Sequence, residues 1–236
     1  MLISFDIKGL EVLCAAYLFQ DHVLLTEIKN KVNIHSVNQA RFGFPNRLTA
    51  KRFKFKMIYG GTAFGFSTDA DFLELKFSEK QWQKVIDEYY NKYAGIKEGH
   101  RNLIKKVLSE QHYTSPTGRE YDFRELLKYK EWYYVPKIKN YPVQGLGADI
   151  TMLARISLMN RMKKNKCKSL LVNTIHDSIV IDAPEAEING KEGNFNIVTC
   201  VEEVFQDLPT NLNWSFHLDW DLPIEVEHKP LYGEMK

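Results

Sequence analysis

The chain has 236 residues, of which 44% are hydrophobic and 13% aromatic, and this composition excludes an intrinsically disordered protein. Its 32 basic and 30 acidic residues give a net charge of +2, too small to indicate nucleic-acid binding without a look at where the charges lie. The three cysteines are widely spaced without a CxxC pair, which argues against a disulfide framework or a zinc site. No signal peptide or membrane span is visible after Met1, so we expect a cytoplasmic protein.

The chain begins with a short buried strand that ends at a carboxylate. Residues 1–5 are almost entirely apolar, and Asp6 follows them directly. Apolar residues then recur through Leu18, which predicts that residues 1 to about 30 form a strand and a helix. A single strand-end aspartate is usually a turn or cap residue, so Asp6 alone indicates little.

A four-residue repeat marks the segment Arg47–Gly60. Arg47, Lys51, Phe55 and Tyr59 lie four residues apart, which places them along one slowly turning stripe of a predicted helix. Two cations followed by two aromatics match the phosphates and base of a nucleoside triphosphate. The alternative is a basic amphipathic helix whose aromatics belong to the core, and this segment alone does not separate the two.

Two clusters of basic residues contain no acid. Residues 41–56 carry six Lys and Arg with phenylalanines between them, a mixture that favours phosphate contact and stacking. Residues 161–168 carry five, and there the simpler explanation is a helix terminus whose dipole favours cations.

The middle of the chain is predicted to be helical. Between residues 34 and 135 the clearest signal is the apolar pattern of Trp82, Val85, Ile86, Tyr89 and Tyr93, which indicates a core-facing helix. From Asn140 the pattern becomes helix, hairpin, helix and a last strand at 224–226, with the first helix covering residues 148–163.

The hairpin has a carboxylate at its tip. Two β-rich runs, 170–175 and 179–181, are joined by His176, Asp177 and Ser178. If Asp6 and Asp177 lie on adjacent strand ends, they can hold a pair of divalent cations of the kind that assist phosphoryl transfer.

Taken together, these segments resemble the signature motifs of family A (Pol I-like) DNA polymerases. The three main motifs are Asp6–Glu11, Arg47–Gly60 and Ile175–Asp177. Three lesser segments are Asn33–Ser36, Asn140–Gly145 leading into the following helix, and Ser115–Arg119, which resembles phage members. The order of the motifs agrees with the family, and the resemblance covers nearly the whole chain.

The resemblance implies two-metal nucleotidyl transfer. Asp6, Asp177 and the backbone carbonyl of Ile7 would hold two Mg²⁺ ions. The incoming deoxynucleotide would be bound by His35, Arg47, Lys51, Phe55, Tyr59 and Glu11. Lys51 would also act in catalysis, and Glu11 would exclude a 2′-hydroxyl while accepting a hydrogen bond from Tyr59. Gln144, His176 and Arg119 would contact primer–template DNA.

The resemblance also implies an α+β fold with two subdomains. A palm made of residues 1–30 and 139–236 would carry a small antiparallel sheet with flanking helices. Fingers made of residues 31–138, mostly helical, would interrupt it. Because Asp6 lies so close to Met1, we expect either one separately encoded half of a split polymerase of phage type or a fragment of a larger polymerase. A second polypeptide would supply the thumb and any exonuclease. It would bind residues 1–30 and the last strand, because the first strand would leave a sheet edge and apolar surface unpaired.

The sequence departs from the family pattern at several positions. Lys8, Gly9, Leu48 and Ser178 replace residues usual in the family, and Pro136 stands where a basic residue is common. Two alternatives stay open: a single-subunit RNA polymerase, which Glu11 and Phe55 disfavour, and a noncatalytic nucleic-acid-binding remnant. A reverse transcriptase is disfavoured because paired aspartates are missing at the hairpin tip.

Overall fold

The structure, a computed structural model, describes residues 1–190, 195–211 and 224–228, with side chains described through residue 208. The chain divides into two units. One, the sheet unit, comprises residues 1–10 together with residues 145–236, and the other, the helical unit, comprises residues 11–144. None of the helices in the described ranges is long and apolar enough to cross a membrane.

A four-stranded antiparallel sheet organises the sheet unit, in the order β4-β5-β1-β6. Its strands are β1 (Leu2–Ile7), β4 (Leu170–Ile175), β5 (Ser178–Asp182) and β6 (Ile224–His228). β1 pairs with β5 on one side and with β6 on the other, so it is an interior strand. The expectation that the first strand leaves a sheet edge unpaired is therefore wrong, because the distant β6 occupies that edge.

Apolar side chains bury the strands and helices of this unit. Ile179, Val180 and Ile181 are consecutive and all almost fully buried, as expected for a strand covered on both faces. The helices are the second half of α8 (Glu131–Lys164), α9 (Glu185–Asn189) and α10 (Ile197–Asn211). Every fourth residue of α8 from Leu146 to Met162 is buried, and Arg161 pairs with Glu203 and Asp207 of α10.

α8 differs from the helix predicted at 148–163, because it begins at Glu131 and includes Pro136 and Pro142. Proline lacks the backbone N–H and usually ends or kinks a helix, so both prolines are costly inside α8. Ile138 and Val143, which flank the second proline, are fully buried. Burial of this apolar face stabilises the helix across both prolines.

Helices form most of the helical unit. They are α1 (Leu10–Leu18), α2 (His22–Lys29), α3 (Ile34–Phe42), α4 (Arg47–Ile58), α5 (Ala63–Thr68), α6 (Glu79–Lys92), α7 (Ala94–Glu110) and the start of α8. A small hairpin, β2 (His112–Thr114) with β3 (Glu120–Asp122), follows α7. The predicted core stripe of α6 is confirmed at four positions, since Trp82, Ile86, Tyr89 and Tyr93 are buried, while Val85 is half-buried.

An aromatic cluster forms the core of this unit around α4. Phe53 is fully buried, and its ring lies 5.1 Å from Phe44, 5.0 Å from Phe66 and 6.0 Å from Trp82, centroid to centroid. α4 therefore turns one apolar face inward. Its other faces carry the residues of the four-residue repeat.

Candidate functional site

The two predicted aspartates lie on neighbouring strands of the sheet. Asp6 of β1 is opposite Ser178 of β5, and the Ser178 Oγ donates a hydrogen bond to Asp6 Oδ1 over 3.0 Å. Asp177 immediately precedes Ser178 in the two-residue turn between β4 and β5. His176, the other turn residue, adopts the left-handed conformation with a φ of 52°. This tight turn and the strand register bring the two carboxylates to the same end of the sheet.

The donor set suits a hard divalent cation. Asp6 and Asp177 are half-buried, and within the described ranges Asp177 forms no hydrogen bond or ion pair. Those same ranges contain no cluster of three or more His, Cys, Asp or Glu side chains able to hold a metal. Mg²⁺ commonly binds one or two carboxylates and takes its remaining ligands from water and substrate phosphates. A pair of carboxylates therefore suits an Mg²⁺ ion whose other ligands are water and the phosphates of a bound substrate.

α4 begins with a well-formed cap and ends where the sequence predicted. The Asn46 side chain accepts a hydrogen bond from the backbone N–H of Thr49, 2.9 Å away, which satisfies a free donor of the first turn. Tyr59 is the C-cap residue, and Gly60 follows with a φ of 81°. L side chains rarely adopt this backbone conformation, so glycine is favoured at this position.

The first three residues of the repeat share one region with His35. Arg47 and Lys51 are exposed, and Phe55 is half-buried. The Lys51 ammonium lies 6.0 Å from the Phe55 ring centroid, and the His35 ring lies 6.4 Å from the same ring. Arg47 is anchored to α3 by a hydrogen bond from its Nε to Asn33 Oδ1 at 3.4 Å. The structure thus brings together two cations, an imidazole and an aromatic face.

His35 is uncharged in this setting. Burial, followed by the neighbouring cations Lys54, Arg47 and Lys51, lowers the pKa of His35 to about 3. Its Nδ1 is buried without a hydrogen-bond partner. In the protein alone His35 is therefore a neutral imidazole with an unsatisfied nitrogen, and an anionic group beside it would supply what is missing.

Tyr59 belongs to a second group, with Glu11 and Gln144. Burial raises the pKa of the Tyr59 hydroxyl above its usual value, and the neighbouring Glu11 carboxylate raises it further. The hydroxyl oxygen is buried, yet it has no hydrogen bond of normal geometry. Tyr59 and Glu11 are therefore neighbours, as predicted, but the predicted hydrogen bond between them is not formed in this structure.

The predicted residues fall into both units. Asp6, Ile7, His176 and Asp177 belong to the sheet unit, and the others belong to the helical unit. Arg119 is exposed at the end of the loop that joins β2 to β3.

Sequence reasoning missed two features of the helical unit. Lys54 is only 2% exposed, although it belongs to the basic segment 41–56, whose charge favoured contact with phosphates at the surface. A cavity of about 790 Å³ begins at the C-terminal end of α4 and is lined by Tyr59, Gly60, Lys139 and the exposed Trp132. The first was detectable from helical periodicity, while the cavity depends on residues 70 or more positions apart.

Comparison with known proteins gives a consistent result. The pattern of DNA polymerase family A matches residues 1–223. DNA polymerase I of Caldicellulosiruptor bescii is 29% identical over 91% of this chain and 26% of its own length. DNA polymerase I of Borreliella burgdorferi is 28% identical over 99% of this chain and 25% of its own length.

A solved structure supports the same fold. It is described as the POL domain of Pol1 from M. smegmatis in complex with DNA primer-template and dNTP, and it matches with a TM-score of 0.80 at 20% identity. The match covers 95% of this chain and 38% of that one. The chain thus spans about a quarter of the length of the curated relatives that it matches.

Proposed function

The chain belongs to DNA polymerase family A, and on that premise we propose that it carries out template-directed DNA synthesis, joining deoxynucleotides to a primer 3′-hydroxyl. In this reaction the 3′-oxygen forms a bond to the α-phosphorus of the nucleotide, and the bond to pyrophosphate breaks. The observation that carries the proposal is the placement of Asp6 and Asp177 at one end of the sheet.

Asp6 and Asp177, with the backbone carbonyl of Ile7, are the proposed ligands of two Mg²⁺ ions. Such ions lower the pKa of the attacking hydroxyl and neutralise charge on the phosphates when they are bound. The protein's own part is to fix the carboxylates. Ser178 restrains Asp6 through its hydrogen bond, and the tight turn at His176 sets the position of Asp177.

The helical unit supplies the proposed nucleotide site. Arg47 and Lys51 would neutralise the triphosphate, and Lys51 would also protonate the departing pyrophosphate. His35 would donate a hydrogen bond to a phosphate oxygen, which agrees with its unsatisfied Nδ1. Phe55 would lie beside the sugar and Tyr59 near the template base, where its ring is half-buried at the helix terminus.

Selection of deoxyribose is assigned to Glu11. Its half-buried carboxylate lies beside the Tyr59 hydroxyl. A ribonucleotide 2′-hydroxyl placed there would clash with the carboxylate and would also lose its hydrating water. Gln144, His176 and Arg119, all exposed, are the proposed DNA contacts. These substrates place the activity in the cytoplasm, that of a bacterial host if the chain is viral.

We further propose that a second polypeptide completes the enzyme, as in a split phage-type polymerase. It would supply a thumb and, where proofreading occurs, an exonuclease, while residues 1–30 and 139–236 form the palm and 31–138 the fingers. The supporting observation is an apolar stripe on α8. Met152, Ile156 and Met159, at positions i, i+4 and i+7, are 43%, 47% and 40% exposed. Such a contiguous exposed stripe is typical of a protein interface.

A primer-extension assay with the full chain tests the function. The proposal predicts that a labelled primer on a DNA template is extended with deoxynucleotides, that chelation of divalent metal stops extension, and that Asp6→Asn does too. Binding of DNA without extension, even after the copurifying polypeptides are added back, would favour the noncatalytic remnant. Preferential extension with ribonucleotides would favour an RNA polymerase.

A further inference from the structure

Lys54 is a buried lysine on the same face of α4 as Arg47 and Lys51. At 100° per residue, Lys54 lies about 20° from Arg47 and about 60° from Lys51 around the helix axis. Phe55, a member of the four-residue repeat, lies about 80° from Arg47, so Lys54 is closer to the direction of Arg47 than Phe55 is. Arg47 and Lys51 are exposed, whereas Lys54 is 2% exposed. The charge on this face therefore continues from the surface into the interior.

The Lys54 ammonium has no hydrogen bond or ion pair of its own within the described ranges. The acid beside it is Glu27 of α2, which is already engaged. Glu27 accepts from Lys92 of α6 at 2.8 Å and from the Tyr93 hydroxyl at 2.8 Å, and Lys92 also donates to Asn38 at 2.9 Å. A buried ammonium that shares one carboxylate with a second lysine is poorly compensated.

The groups that face Lys54 come from every element around it. They are Glu27 from α2, His35 from α3, Lys92 from α6, and Arg47 and Lys51 from its own helix. Four of the five are basic, and of the three cations that act on His35, Lys54 has the largest effect. Lys54 is thus a buried residue that interacts electrostatically with His35, Arg47 and Lys51, so a negative charge added beside those three groups would also act on Lys54.

We propose that Lys54 is a proton-linked residue of this site, which takes up a proton when a triphosphate binds beside Arg47, Lys51 and His35. The inference rests on the proposed function, because it presumes a polyanion at that group. Lys54 would act through its charge and not by touching the ligand. It would stabilise bound triphosphate and make nucleotide affinity depend on pH.

The direction of the effect follows from the charges. Burial is the main cause that lowers the pKa of Lys54, to about 7; Glu27 opposes the shift, and Lys92, Arg47 and Lys51 contribute to it. A polyanion nearby favours the charged form, so it raises this pKa. Between the free and bound pKa values the complex holds a proton that the free protein lacks. Affinity for the polyanion is therefore greatest below about pH 7 and falls as pH rises through the bound pKa.

Calorimetric titration of the full chain with inorganic tripolyphosphate, in buffers of different ionisation enthalpy, measures the protons taken up per ligand. Because tripolyphosphate itself binds protons, the measured quantity is the difference between wild type and Lys54→Met. At pH 8 we expect wild type to take up roughly half a proton or more in excess of the variant. From pH 6.5 to pH 8.5 its affinity should fall several-fold more than that of Lys54→Met, since each unit of pKa shift corresponds to about tenfold in affinity.

Two further variants separate charge from structure. Lys54→Arg stays protonated across this range, so it should abolish the excess uptake and still bind tightly at pH 8.5. Lys84→Met removes an exposed lysine of α6 in the same unit and should behave as wild type. Thermal melting of each variant confirms that it is folded.

The outcomes distinguish this inference from the proposed function. If Lys51→Met abolishes binding but Lys54→Met takes up as many protons as wild type, the role of Lys54 is wrong and the anion site stands. If wild type does not bind tripolyphosphate, or if Lys51→Met binds as well as wild type, both the site and the inference are overturned.

Discussion

Ser178 and Asp6 are 172 residues apart in the chain, and the Ser178 hydroxyl donates a hydrogen bond to the Asp6 carboxylate over 3.0 Å. The bond joins the first strand to the residue that follows Asp177, so the position of one aspartate constrains the other. Ser178 is also one of the departures from the family pattern. It therefore gives this chain its own means of holding the carboxylate pair.

Asp177→Asn tests the carboxylate pair with almost no change of shape. We expect it to remove at least about 3 kcal/mol of transition-state stabilisation, roughly a hundredfold or more in rate, because a neutral amide is a poor ligand for Mg²⁺. Single-turnover primer extension by the folded variant measures the loss.

The matched control is Asp182→Asn at the other end of β5. In the part of the chain that the structure describes, the only ion pair of that carboxylate is an exposed one with the N-terminus, so its loss should leave the rate unchanged. Wild-type extension by Asp177→Asn would refute the two-metal assignment.

Glu11→Ala tests sugar selection. The half-buried carboxylate lies beside the Tyr59 hydroxyl, so truncation should open space for a 2′-hydroxyl and narrow the preference for deoxynucleotides over ribonucleotides. The readout is the ratio of kcat/KM for the two sugars, which cancels a general loss of activity. Tyr59→Phe keeps the carboxylate and should retain most of the selection. An unchanged ratio in Glu11→Ala would exclude Glu11 as the selecting residue.

Phe53→Ala should destabilise the helical unit strongly. Phe53 is fully buried at the centre of the aromatic cluster, and removal of such a ring leaves a cavity that typically costs about 3–5 kcal/mol. Urea unfolding followed by circular dichroism measures the change in free energy of unfolding. Phe64→Ala is the control, since that ring is 65% exposed and its loss should cost less than about 0.5 kcal/mol. Similar losses for both variants would show that the cluster is not the core of the unit.

His100 should make stability depend on pH. Its Nε2–H donates to the Ile58 carbonyl at 2.8 Å, and burial lowers its pKa to about 3. In the unfolded chain histidine titrates near pH 6.5. Between pH 6.5 and pH 3 the unfolded state binds a proton at His100 that the folded state does not. The contribution of neutral His100 to the free energy of unfolding is therefore complete above pH 6.5 and is lost as pH falls toward 3.

Compared with its value at pH 7, the free energy of unfolding should be lower by about 2 kcal/mol at pH 5 through His100 alone. His100→Gln retains a donor for Ile58 without a titrating group, so its stability should fall less over this range. The exposed His112 provides the control variant His112→Gln, which should keep the wild-type slope. Identical slopes for wild type and His100→Gln would contradict the prediction.

The apolar stripe of α8 should control association. Replacing Met152, Ile156 and Met159 together with glutamine should reduce self-association of the isolated chain, because exposed apolar surface is what drives it. It should also prevent copurification of a polypeptide that resembles the rest of a family A polymerase. Sedimentation velocity and mass measurement follow the two effects. The control replaces three exposed apolar residues of the helical unit, Val23, Leu73 and Leu108. If that control has the same effect, the α8 stripe is not the specific interface.

Local patterns in the sequence determined most of the secondary structure. The four-residue repeat of α4, the core stripe of α6 and the hairpin at His176–Asp177 follow from helix and strand periodicities, and the structure confirms each. The prediction began α8 at residue 148, whereas the helix begins at Glu131. Burial of its apolar face offsets the missing N–H groups of Pro136 and Pro142, and that burial is not a local property.

The sequence by itself also identified the family, because the family motifs can be recognised from the identity, spacing and order of their residues. Tertiary structure alone decided which partners those groups have. Pairing of β1 with β6 made the first strand an interior one, and strand register placed Ser178 against Asp6. α4 packs against α3 and α6, and Lys54 is buried, although a count of charges treats it like any exposed lysine. Burial, register and pKa depend on residues far apart in the chain, so they arise only when the chain is folded.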